Sequence, residues 1–310
     1  MNATLKTFDS ISIVAPLGIR FRDELTGDVV SDGLNVAVYA LGRPAGKVQA
    51  IANPSGIFVV HHAPGLISVE HGQGDADFWN NLPPKKNFVV AVTDAARRFQ
   101  PFQLDVQLPE RGVFNWASPI AASLPDLEPG IPLYSSPVRN VPPGMSVLRA
   151  DLWDAARDLP AAWAILEAHV NNQLVARSIA DDQGRIALIF PHPAPRPFTA
   201  SAPLSSSPSA ATGPPLTEQT WPVDLRALYA PIDAPALLPG ELGLEQQLPD
   251  LRAMLSQPEA TLWADSDRTT PLETVTLNYG RELILKSTQS LSLSPARQSV
   301  LFITSAVSPP

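Results

Sequence analysis

No cysteine occurs anywhere in the 310 residues, which excludes disulfides, thiolate metal sites and cysteine nucleophiles together. Charge is sparse as well: Asp, Glu, Lys and Arg make up 17% of the chain and leave a formal net charge of −8. Basic residues cluster nowhere beyond Lys85-Lys86 and Arg97-Arg98, so nucleic acid and anionic membrane are not expected partners. No apolar run approaches the roughly 18 residues that a membrane-spanning helix needs. The opening MNATLKTFDSISIVAPLGIRF has one early lysine and is broken by Asp9 and two serines, unlike a secretory leader. The chain is therefore expected in the cytoplasm, at least when made. Enzyme signatures are also missing: no G-x-S-x-G elbow, H-E-x-x-H helix or G-x-G-x-x-G after a strand occurs. Gly42 to Val48, GRPAGKV, imitates a phosphate loop but is one residue short between its glycines and lacks Ser or Thr after Lys47.

What the chain has is apolar content, at 45%, and 34 prolines. From Val147 to Phe190 strand-length segments alternate with short polar turns: VLRADLWD, AAWAILEAHV, QLVARSIA and RIALIF, broken at Arg157 to Pro160, Asn171-Asn172 and Asp181 to Gly184. That spacing predicts antiparallel hairpins. Trp163 is expected to point into the core they enclose. The same wording occurs earlier, where Asp32-Gly33-Leu34 aligns with Ala161-Ala162-Trp163 and Asn53-Pro54-Ser55-Gly56 with Asp181-Asp182-Gln183-Gly184. Landmark and turn glycine lie 23 residues apart in one copy (33 to 56) and 22 in the other (162 to 184). This is a divergent internal duplication of a small β unit. FVVAVTD and FQLDVQLP, the latter alternating apolar and polar, read as late strands of the first copy.

The order strand, polar turn, Ala-rich strand, Asp-x-x-Gly turn, apolar strand resembles the carboxypeptidase regulatory-like (prealbumin-like) β-sandwich. Asp151, Pro160, Ala162, Ala164, Asp181, Gly184 and Leu188 carry the likeness. The wider segments LYSSPVRNVPPGMSVLRADLWD, PAAWAILEAHV, DDQGRIALIFPHPAP and RRFQPFQLDVQLPERG resemble proteins of this type encoded beside phage-tail-like contractile injection systems. One enzyme shares the sandwich, the hydroxyisourate hydrolase, but its Tyr-Arg-Gly-Ser terminus has no counterpart in this chain, which ends SAVSPP.

The expected fold is mainly β, two tandem prealbumin-like or Ig-like sandwiches followed by a Pro-rich strap and a small β-containing C-terminal portion. The expected boundaries are an arm over 1–19, a first sandwich over 20–130 and a second over 131–195. A strap over 196–241 and a docking segment over 242–310 follow, the latter opening on a helix from Leu242 to Leu255. Twelve prolines lie between Pro191 and Pro239, which favours an extended strap anchored by Trp221, Leu225 and Tyr229. The segment 196–310 is expected to act as an assembly arm or to pack back on its own sandwiches.

No cofactor or metal is expected. His61 and His71 with Asp75 or Asp77 are the best zinc candidates and Asp181-Asp182 the best for calcium, yet neither spacing demands an ion. Interaction residues are sought instead at Phe78 and Trp79 on a polar loop, at the strap anchors, and at Tyr279 in a terminal hairpin. The resemblance implies a non-enzymatic structural subunit of a contractile, phage-tail-like particle, at its baseplate or another terminal assembly. Sheath, tube or baseplate proteins and further copies of the chain would be its partners. The alternative is a module that binds a saccharide or cell-surface ligand through sandwich-end loops.

Overall fold

A computed structural model describes residues 13–72, 75–117, 130–194, 218–232, 248–288 and 299–305. Strands account for 47% of it and helices for 8%, so the protein is mainly β. The first unit contains β1 (Leu17–Asp23), β2 (Leu34–Ala40), β3 (Val48–Gln49), β4 (Ile51–Ala52), β5 (Ile57–Val60), β6 (Lys86–Asp94), β7 (Phe102–Leu108) and β8 (Ile131–Leu133), with α1 (Ile67–Glu70) and α2 (Ala76–Asn80) between β5 and β6. Two four-stranded sheets result, ordered β4-β5-β1-β8 and β3-β2-β6-β7. The period of two in β7 buries Phe102, Leu104, Val106 and Leu108 against the facing sheet.

The second unit contains β9 (Met145–Asp154), β10 (Leu159–Pro160), β11 (Ile165–Val170), β12 (Gln173–Ile179), β13 (Arg185–Pro191), β14 (Thr220–Leu228), β15 (Glu259–Trp263), β16 (Thr274–Asn278), β17 (Leu283–Leu285) and β18 (Leu301–Ser305), with α3 (Leu251–Leu255) before β15. Its pairing repeats the first unit's. β1 pairs antiparallel with β5 as β9 does with β13. β2 pairs with β3 and β6 as β11 does with β12 and β14. β7 lies beside β6 as β16 lies beside β14, and β8 runs parallel to β1 as β17 and β18 run parallel to β9.

The duplication reaches individual hydrogen bonds. Asn53 Oδ1 accepts from the N–H groups of Ser55 and Ile57, and Asp181 Oδ1 accepts from those of Gln183 and Arg185. Gly56 and Gly184 close these turns at φ +73 and +75, a region that favours glycine. At the end of each first strand, Asp23 Oδ1 accepts from Leu25 N and Asp154 Oδ1 from Ala156 N. The backbone then returns by Gly27 N to Asp23 O and by Asp158 N to Asp154 O.

The sequence-based boundaries move. β1 begins within the expected arm. β8 falls in the expected second sandwich but pairs with β1 of the first. Within the expected strap, Thr220 to Leu228 form β14, flanked by β11 on one side and by β15 and β16 on the other. The expected helix from Leu242 to Leu255 is helical at Leu251–Leu255, while 242–247 lie outside the described residues. β14 to β18 are integral strands of the second sandwich, packing in cis. Pattern reading missed this because the partners of β9 and β11 lie far along the chain.

The two units are joined by packing and by polar bonds. Leu251, Met254 and Leu255 of α3 enter the first core together with Ile165 and Ile179. Trp163, expected inside the second sandwich, packs against that first core at the seam, with φ +64 and its carbonyl held by Gln257 Nε2 at 2.8 Å. Gln100 Nε2 donates to Ile179 O and Ser178 Oγ to Ser135 O. Beside the seam, Arg139 grips both oxygens of Asp23 at 2.9 and 2.5 Å.

Because Val223, Leu225, Tyr229, Leu262, Leu277, Leu301 and Ile303 are buried in the second core, a chain truncated after Pro195 is expected to leave that unit unfolded. Loss of near-ultraviolet dichroism and of cooperative urea unfolding for residues 131–195 would be the observation. A Cβ on Gly184 would stand 2.3 Å from Leu152 O. Gly184→Ala should therefore cost roughly 2–4 kcal/mol, positive-φ strain plus a backbone clash, in chemical denaturation.

Candidate functional site

Asp75 caps α2 by accepting from Phe78 N at 2.8 Å. The Phe78 ring lies on Gly72, where a Cβ would meet it at 1.9 Å, and packs against the first core. Phe78 thus caps a sandwich end. Trp79 meets it edge-on at 5.3 Å and lies 6.0 Å beneath the Arg111 guanidinium. His61 and His71 join no ligand set: among the described residues no three His, Asp or Glu side chains converge. His62 and the buried Glu70 do pair, Nδ1 to Oε2 at 3.3 Å. Asp181 binds its own turn and Arg185, at 2.7 Å, which accounts for its place beside Gly184.

The expected strap anchors divide. Leu225 and Tyr229 are buried in the second core and offer a partner no surface. Tyr229 donates its hydroxyl to Asp154 Oδ2 at 2.9 Å, and burial raises its pKa well above the ordinary phenol value. Trp221 and Tyr279 instead converge with His192, which the sequence reading did not select. The His192 and Tyr279 rings stack at 4.8 Å and 27°, and the Trp221 ring lies 6.4 Å from His192 and 6.3 Å from Tyr279. Three different segments supply these rings, so no local pattern could have joined them.

Both nitrogens of His192 are engaged. Gly280 N–H donates to Nε2 at 3.3 Å, and Nδ1 lies 2.7 Å from Ser146 Oγ. An amide can only donate, so the neutral ring carries its proton on Nδ1 and gives it to the serine oxygen. A nucleophilic serine requires the reverse polarity, and Ser146 is 2% exposed. The pair is a stitch that ties the turn after β16 to the starts and ends of β9 and β13. Desolvation holds the imidazole below its ordinary 6.5.

A cleft of about 540 Å³ opens on the second sandwich where β15 and the strand entering β16 fork from β14. Asp224, Arg226, Glu259, Thr261, Glu273 and Thr274 line it, and Thr274 Oγ1 donates to Asp224 at 2.7 Å.

No family model matches the chain, and no curated protein matches it. Among solved structures, the Bacillus anthracis TIE protein aligns at 11% identity and a TM-score of 0.22, over 71% of this chain. The chain spans 28% of the length of that protein chain. A likeness at that score assigns neither fold nor function.

The His192 stitch makes a pH-dependent contribution to stability. Above 6.5 the ring is neutral folded and unfolded, and the contribution is complete. As pH falls below that value the unfolded chain takes up a proton that the folded ring resists, and stability declines until the folded ring titrates too. Subtracting the urea-unfolding free energies of His192→Asn from those of the wild type, between pH 7.5 and 5, should isolate this decline. A difference independent of pH would contradict the stitch.

Proposed function

We propose that the protein is a non-enzymatic structural subunit of a phage-tail-like contractile particle, at its baseplate or another terminal assembly. The observation that supports a structural role is the joined seam. Two sandwiches share apolar residues, with α3 of the C-terminal half sealed into the first core, so the chain is one stiff body rather than two modules on a tether. The polar side chains at the seam and the turns are engaged in holding the fold. Ser146 and His192, the one pair with catalytic composition discussed above, are bonded with the wrong polarity for nucleophilic attack.

The contractile-particle setting comes from the resemblance of the quoted segments between residues 97 and 195. Further copies of the chain and sheath, tube or baseplate proteins are the proposed partners, the chain being made in the cytoplasm and assembled there. Among the described residues no helix is long and apolar enough to cross a membrane. Phe78 packs against the first core, which leaves Trp79 as the more available aromatic of the loop in the ligand-binding alternative.

Affinity purification of the tagged full-length chain from its native host tests this reading. Recovery of sheath, tube or baseplate proteins in stoichiometric amount is expected. Recovery of the chain alone, with selective binding to a glycan array, would replace the proposal with the ligand-binding alternative.

A further inference from the structure

The two repeats are equivalent, yet their outer faces are treated differently. In the second repeat the outside of the β13-β9 pair is covered: Val147, Ala187 and Ile189 are buried there under Leu25 and Val141. Leu25 belongs to the turn that follows β1 of the first repeat, so the first repeat's turn docks on the second repeat's sheet. The shared turn hydrogen bonds and pairing registers give the matching positions. Ala187 corresponds to Val59, Arg185 to Ile57, and Leu25 to Ala156.

The matching face of the first repeat carries Ile57 and Val59 on β5 and Ile51 on β4, directly opposite Val59. Ile51 is 67% exposed, and Ile57 and Val59 are half-buried. Here β5 is apolar on both sides, whereas a wet sheet face alternates to polar residues. Among the described residues no turn covers this face as Leu25 covers the other. The matching turn of the second repeat, Ala155 to Leu159, is itself open, with Ala156 exposed and Leu159 51% exposed.

From this we infer that the β4-β5 face of one copy receives the turn Ala155 to Leu159 of a second copy, repeating between chains the contact made within each chain. The side-chain volumes exchange in a complementary sense. Within the chain a large residue on the turn, Leu25, meets a small one on the sheet, Ala187. Between chains a small residue on the turn, Ala156, meets a large one on the sheet, Val59. The contact is head-to-tail and leaves one free surface at each end, so it builds a ring if the rotation closes and a filament if it does not. It deepens the assembly reading by naming the surface on which copies join. It is tested on the purified chain alone, so its failure is distinguishable from failure to recover particle proteins.

The absence of native cysteine allows a clean cross-linking test. Val59→Cys with Ala156→Cys in one chain should give a ladder of disulfide-linked oligomers on mild oxidation. Each single variant alone should stay monomeric on a denaturing gel, and an equimolar mixture of the two should give a heterodimer and nothing longer. In sedimentation, wild-type chain should gain mass with concentration, while Ile51→Glu and Ala156→Glu, both at exposed positions and checked for native melting, should remain monomeric. Mixing those two variants should give a heterodimer and nothing longer, because the intact face of the Ala156→Glu chain can receive the intact turn of the Ile51→Glu chain while every other junction carries a damaged surface. A wild-type monomer at all concentrations, or self-linking by Val59→Cys alone, would overturn the inference.

Discussion

Each sandwich turns at a buried aspartate. The carboxylates of Asp23 and Asp154 are 5% and 3% exposed as residues, and burying a charge is tolerable only when its oxygens are fully engaged. One oxygen of each holds its own turn through backbone N–H groups. The other reaches a distant segment: Arg139 in the linker for Asp23, and Tyr229 at the end of β14 for Asp154. A local turn is thereby coupled to long-range packing. Without Tyr229, Asp154 would keep a buried oxygen without its hydroxyl donor, so the order of the first strand depends on a residue 75 positions away.

The same coupling decides how much could be read from the sequence. The Asx turns at Asn53 and Asp181 were legible because donor, acceptor and glycine lie within five residues, and the 23- and 22-residue spacings found the duplication through them. β6, β7 and β11 to β13 were legible because each is apolar in its strand period or bounded by turn residues. β14 was hidden by its own proline. Pro222 faces Thr276 at a position where the ladder needs no N–H from it. β11 reaches only as far as Asp224, so among the described residues the other side of Pro222 has no strand to satisfy either. The proline signal was real locally and silent about that register.

The candidate residues follow the same rule. Phe78 and Trp79 looked like anchors because they stand in a polar stretch, but Gly72 leaves room for the Phe78 ring to fold back against the core. Trp221 and Tyr279 were selectable as aromatics, whereas His192 was not, since its meaning depends on Ser146 and Gly280 from two other segments. Trp163 was assigned inward from its strand, and its left-handed backbone turned the ring to the seam instead. In each case the side chain was visible and its address was not.

The placement of β14 to β18 also sets an order on biosynthesis. A ribosome releases the N-terminal half first, yet that half cannot finish either core alone. The first lacks α3 and the second lacks β14 and everything after it. Nascent chain must hold β11 with an open edge until β14 follows, and β9 until β17 and β18 follow, a long-range closure of the kind that folds slowly and exposes strand edges meanwhile. Two repeats that look ready to fold one after the other thus both wait on segments far downstream, the first on α3 and the second on β14 to β18.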